Sequence, residues 1–187
     1  MACLKFLQKC WSTTLSKGGH DSNVLSSLRL VEARPNYLKG IFKIEPKHLN
    51  NHGTLHGGVI LSLTDTMTSL ALSTRGIPAP TGVSINISTE FVRPAGGQGD
   101  DLVCIGTVEQ LGRTLGYTRC EFKTPATSSP SAIGDGHGSG KEGGKLVAYG
   151  SQTKFMGSFK PVTSFSEDGE NELPLESSST GQDKAKL

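Results

Sequence analysis

A single long helix set among extended segments constrains the fold of this chain more than any other feature. From Gly57 to Thr74 the residues Val59, Leu63, Met67 and Leu70 fall at i, i+4, i+8 and i+11, one apolar stripe of a helix. Gly76 and Pro78 stop it. The period then drops to two. In the run Val83 to Phe91, the residues Val83, Ile85, Ile87 and Phe91 share one face, and Ser84, Asn86, Ser88 and Glu90 share the other, as in a half-buried strand. Asp101 to Glu109, Thr114 to Lys123 and Lys145 to Phe155 read as further strands, with a turn over Pro94 to Gly99 and a tight connection at Leu111-Gly112-Arg113. Upstream, Ser27 to Glu45 holds two extended stretches around Arg34-Pro35-Asn36. Two strands, one long helix and four strands with short links predict an α+β domain, an antiparallel sheet with the helix against one face.

The 187-residue chain is 34% hydrophobic, and its polarity is concentrated in two places, residues 124–144 and 158–187. Neither can bury enough apolar surface to offset the entropy of ordering. The domain is therefore expected over 27–157, with 124–144 as an enlarged hairpin insertion and 158–187 as an acidic, disordered tail. That tail holds six of the 17 acidic residues, leaving residues 1–157 with 16 basic and 11 acidic groups, a net +5. A mildly basic body suits a small anionic ligand. No run of Lys and Arg interleaved with aromatics supports nucleic-acid binding.

Residues 1–26 form a separate N-terminal segment. Its first 20 residues carry Lys5, Lys9 and Lys17 with no acid. They read either as a weak mitochondrial presequence, which would lack arginine, or as an amphipathic helix packing on the domain. Cysteines at 3, 10, 104 and 120 have no C-x-x-C spacing and read as reduced thiols, placing the protein in the cytoplasm or the mitochondrion. No apolar run approaches membrane-spanning length. The chain has no G-x-S-x-G, no G-x-G-x-x-G and no P-loop, which argues against a serine hydrolase, a Rossmann enzyme or an NTPase.

The chemistry-bearing residues gather around the start of the helix. Gly57-Gly58 exposes N–H groups without intrahelical acceptors, suited to a developing oxyanion, although glycine there also serves close packing. Asp65, eight residues on, is a candidate general base or nucleophile. It lies opposite the apolar stripe, near Gly58, Leu61, Ser69 and Leu72. That face either meets water or is covered by a second subunit, and Leu61 and Leu72 favour the second. Ser84 on the following strand could hold a water with Asp65 if the two faces share a cleft. Asn50 can donate to a carbonyl or orient a neighbour, and His56 is read chiefly as an orienting residue. His52 and His56 stand four apart, but with Gly53 between them and no third ligand no metal is expected.

In combination these motifs, H-G-G opening a helix with Asp eight after its first glycine, then V-S-I-N-I, R-P-A and L-G-R-T-L, resemble the hotdog-fold thioesterases of the phenylacetate-degradation type over about Leu28 to Gly157. The resemblance implies a curved antiparallel sheet wrapped around one central helix, with homodimers assembling into homotetramers. It implies hydrolysis of medium- to long-chain fatty acyl-CoA without a cofactor. Gly57 would polarise the thioester carbonyl, Asp65 activate water or attack, Ser84 orient the water, and Asn50 and His56 support the loop. Asn50, His56 and Gly57 would face Asp65 and Ser84 of a partner. The stretch Gln110, Leu111, Gly112, Arg113, Thr114, Leu115 would bind coenzyme A, with Arg113 the cation for phosphate. Ser84, Asn86, Phe91 and Lys154 are further candidates for the same ligand. The rival readings are an aromatic acyl-CoA thioesterase of hydroxybenzoyl or dihydroxynaphthoyl type, and a non-catalytic acyl-CoA-binding protein.

Overall fold

A computed structural model describes residues 1–126 and 144–175. The elements run α1 (Ala2–Ser16), α2 (His20–Val24), β1 (Leu28–Arg34), β2 (Tyr37–Lys43), a 3-10 turn (Pro46–His48), α3 (Gly57–Ser73), β3 (Val83–Phe91), β4 (Asp101–Leu111), β5 (Leu115–Lys123), β6 (Leu146–Phe155) and two short strands, β7 (Ser164–Phe165) and β8 (Glu172–Leu173). The first six strands form one antiparallel sheet in the order β1-β2-β4-β5-β6-β3. The expected strands and central helix are all present. Chain order does not give sheet order, however. β4 joins β2, and β3 lies at the opposite edge beside β6, so the Pro94–Gly99 connection spans the sheet.

Helix α3 packs on the inner face of the sheet through its predicted stripe, with Val59, Leu63, Met67 and Leu70 all buried against a core that includes Leu38, Phe42, Leu102 and Phe122. The helix comes so close at Gly106 that a Cβ there would stand 2.8 Å from the Met67 carbonyl oxygen, which requires glycine. Leu72 is fully buried with Ile77 and Met156 of its own chain. It therefore needs no second subunit to cover it, contrary to the expectation, whereas Leu61 is exposed.

β3 departs furthest from its period-two reading. Ile85 is an extra residue relative to β6, because Ser84 pairs with Lys154 and Asn86 already pairs with Thr153. Such a bulge reverses the side-chain phase. Ser84 therefore faces the helix with Ile87, Thr89 and Phe91, while Val83 points outward and is 63% exposed. Because β3 is an edge strand, its apolar residues Val83, Ile85 and Phe91 all remain exposed in a single chain.

The N-terminal segment is helical and packs on the domain. α1 buries Cys3, Leu4, Leu7, Cys10 and Trp11, and the Trp11 indole donates to the Leu28 carbonyl at 3.0 Å. The reading of 158–187 as disordered does not hold over 158–175. Val162 N–H donates to Gly76 O, Phe165 is buried against Phe6, and Cys3 N–H donates to Gly169 O at 3.0 Å. The buried anchors Thr163 and Phe165, with backbone pairing to α1, supply what the polar composition seemed to lack. Residues 176–187 and most of the 124–144 insertion lie outside the described residues. All four cysteines are free and buried, and burial pushes the thiols of Cys3 and Cys120 up to about 11 and about 12, which removes both as ready nucleophiles. No helix among the described residues is long and apolar enough to cross a membrane.

Candidate active site

The loop before α3 is built from its own sequence. Asn50 Oδ1 accepts from His52 N–H at 2.9 Å and Thr54 N–H at 3.2 Å, and its amide donates to Thr54 Oγ1 at 3.0 Å. This Asx-type closure presents His56 as the helix N-cap. His56 Nδ1 accepts from Gly58 N–H at 2.8 Å, and its backbone N–H is held by His48 O at 2.8 Å. The Gly57 N–H has no acceptor among the described residues and opens, with Asn50, Ile60 and Phe91, onto a cavity. His48 is itself buried against Phe42, and burial pulls its imidazole below the ordinary histidine range.

A second cluster lies further along α3. Asp65 Oδ1 accepts from Gln152 Nε2 at 2.6 Å and, at the limit of hydrogen-bond distance, from Ser84 Oγ at 3.5 Å and Ser69 Oγ at 3.4 Å. Gln152 also donates to Ser84 Oγ at 2.8 Å, and its own oxygen accepts from Thr68 at 2.7 Å. Gln152 is completely buried, so each of these bonds acts in a low-dielectric setting. The buried Lys154 ammonium donates to Ser69 Oγ at 2.6 Å; burial lowers its pKa while the nearby Asp65 charge raises it. Asp65, Ser69, Ser84 and Lys154 line one cavity, which continues past Leu70 and Ser73 to Trp11.

The predicted residues therefore fall into three groups. Asn50, His56 and Gly57 stand together, and Phe91 joins them: a Cβ at Gly57 would lie 3.4 Å from its ring. Asp65 and Ser84 stand together, and Lys154 joins them. Gln110 to Leu115 make the tip of the β4–β5 hairpin, where Gly112 N–H donates to Leu115 O at 2.8 Å and Arg113 borders a cleft with Phe159 and Lys160. Of the further ligand candidates, Phe91 stands apart from that hairpin, whereas Lys154 pairs with Gly116, one residue past it, with its side chain in the Asp65 cavity. Asn86, beyond the bulge, is exposed away from Asp65. Gln152 was not anticipated. Its signal is parity: Ala148, Gly150, Gln152 and Lys154 alternate as the inward, buried residues of β6, so two polar side chains occupy core positions.

Comparison with known proteins decides the family. A model described as the thioesterase superfamily matches residues 52–129. Human acyl-coenzyme A thioesterase 13 is 32% identical over 145 residues, covering 76% of this chain and 89% of the relative. The chain belongs to the thioesterase superfamily. The mouse acyl-coenzyme A thioesterase 13 is 32% identical over 136 residues, covering 72% of this chain and 83% of that one. The crystal structure of thioesterase superfamily member 2 from Mus musculus superposes with a TM-score of 0.64 at 26% identity, covering 83% of this chain and 98% of its own. A Streptococcus mutans protein solved bound to acetyl CoA shares the fold alone, with a TM-score of 0.56 at 21% identity and coverage of 72% and 90%. The sheet wrapped around α3 is accordingly the hotdog fold, and the protein is a thioester hydrolase.

Thioester hydrolysis needs little more than the two clusters offer. The carbonyl is electrophilic and the thiolate leaves without strong acid assistance. A carboxylate that can polarise water and an N–H that can receive an oxyanion suffice chemically.

Proposed function

We propose that this thioesterase hydrolyses medium- to long-chain fatty acyl-CoA to the fatty acid and coenzyme A, at sites each shared by two copies of the chain. One observation carries the reading. The free Gly57 N–H and the Asp65 carboxylate lie on one helix eight residues apart, about 12 Å along its axis, and they line different cavities. Within one copy they cannot act on the same carbonyl. A second copy supplies the missing half, with Asn50, His56 and Gly57 of one facing Asp65 and Ser84 of the other. The exposed edge and apolar residues of β3 support edge-to-edge pairing of two sheets, and such dimers pair again into a tetramer.

In this reading Asp65 takes a proton from a water that Ser84 orients, and the water oxygen attacks the thioester carbon. The oxyanion accepts the Gly57 N–H of the second copy. Collapse expels the coenzyme A thiolate, which takes up the proton, and leaves the carboxylic acid. A positioned base contributes about 10²–10⁴ in rate, and one oxyanion donor about 10²–10³. Arg113 at the β4–β5 tip meets the coenzyme A phosphates. The relatives named acyl-coenzyme A thioesterase support the substrate class, and the reading places the protein in the cytoplasm or the mitochondrion.

Mixing variants tests the shared site. His56→Ala and Asp65→Ala proteins are each expected to release little free thiol from dodecanoyl-CoA. Denatured and refolded together, they should recover about a quarter of wild-type activity, since random pairing makes half the dimers mixed with one intact site each. No recovery from a mixture shown to exchange subunits would place both halves in one chain.

A further inference from the structure

Lys154 carries a burden that the reaction outlined above does not use. It is a charged side chain at a core-facing position of β6, only 5% exposed, directly across from Ser84 in one neighbouring strand and Gly116 in the other. Glycine at 116 leaves no side chain beside it on that strand. An ammonium so placed is costly unless a negative group compensates it. Its hydrogen-bond partner is neutral: Nζ donates to Ser69 Oγ at 2.6 Å, and Ser69 Oγ in turn lies 3.4 Å from Asp65 Oδ1. Lysine, serine and aspartate form one chain on one cavity wall. Two carboxylates line that cavity, Asp65 from α3 and Asp21 from α2, and Asp21 is engaged with Thr66 at 3.4 Å. His56 of a second copy also faces Asp65 under the pairing proposed above.

We propose that Lys154 is a positioning residue of the hydrolase: through Ser69 it keeps the Asp65 carboxylate aimed at the attacking water. The inference rests on the reading of Asp65 as the base. The tether restricts Asp65, whose Oδ1 also accepts from Gln152 Nε2 at 2.6 Å, to one orientation. Lys154 thereby differs from a phosphate-binding lysine. It is buried at the carboxylate rather than presented at the β4–β5 hairpin, and it acts on turnover rather than on coenzyme A affinity.

The test is kcat and KM for dodecanoyl-CoA, followed by free-thiol release, in wild type, Lys154→Arg, Lys154→Met and Asp65→Ala. Lys154→Met is expected to lower kcat about tenfold with KM within about twofold, while Lys154→Arg restores most of the wild-type kcat. A wild-type kcat in Lys154→Met overturns the proposal, and a raised KM with unchanged kcat would make Lys154 a ligand-binding lysine instead. If Lys154→Met does not fold, Ser69→Ala carries the test. Loss of the tether should lower kcat in the same direction by less, and an unchanged kcat overturns the proposal. Asp65→Ala separates the two readings: if it keeps full activity, the base assignment itself fails, whereas an inactive Asp65→Ala beside a Lys154→Met of wild-type kcat removes only the role of Lys154.

Discussion

The two halves of the site are made in opposite ways. The Gly57 half is local. Asn50, Thr54, His56 and Gly58 satisfy one another within nine residues, with the His48 and Gly96 carbonyls and neighbouring Phe91 added from outside the loop. The Asp65 half is assembled across the chain, from Ser84 19 residues away and Gln152 87 residues away. A local loop can hold a backbone N–H in position because the backbone is itself the functional group. A carboxylate in a polar cluster needs donors converging from several directions, and only separate strands and a helix provide them. The Gly57 half should therefore tolerate side-chain changes that leave its hydrogen bonds intact, while the Asp65 half should be sensitive to each member.

Asp65→Ala is the most severe way to break this contrast. It should lower kcat by about 10²–10⁴ while circular dichroism still shows the wild-type fold. Retained turnover would remove the Asp65 half from the chemistry. Gln152→Leu sharpens the contrast next. It deletes the shortest donor to Asp65, so kcat should drop roughly tenfold, and urea melts should show a loss of about 1–3 kcal/mol, since buried partners are left unpaired. A Gln152→Leu protein with wild-type turnover would show that Asp65 is held without it.

The smallest effect concerns pH and falls on the Gly57 half. His48, whose carbonyl anchors His56, has its pKa lowered chiefly by burial. Its unfolded value is about 6.5, so between that pH and the lower native value the unfolded chain binds more protons than the native one. The stability it contributes is present above about pH 6.5 and is lost as pH falls through the native pKa. Urea melts at pH 7.5 and pH 5 should show this loss in wild type and a smaller one in His48→Gln. An equal loss in both would clear His48 of the effect.

The fold was legible because its signals are periodic and short-range. The stripe Val59, Leu63, Met67, Leu70 can bury only as one helix face, and the alternating runs after it suit strands. The loop from Asn50 to Gly58 was legible for the same reason, since its bonds connect near neighbours. β3 misled because one inserted residue, Ile85, reverses alternation without altering composition. The reversal is what turns Ser84 toward Asp65. Residues 158–175 misled because Phe165 and Thr163 are too few to mark a polar stretch as packed, until α1 and Gly76 are there to receive them.

By itself the sequence determined the central helix and the six strands of the main sheet, and it placed an open N–H at the start of α3, because local sterics and spacing decide both. Only the tertiary structure decided that β3 lies at the sheet edge beside β6. It alone brought Gln152 and Lys154 to Asp65, and it alone set Gly57 and Asp65 in separate cavities. Strand order and the direction of each side chain depend on which distant surfaces are buried together, and no window of neighbouring residues contains that information.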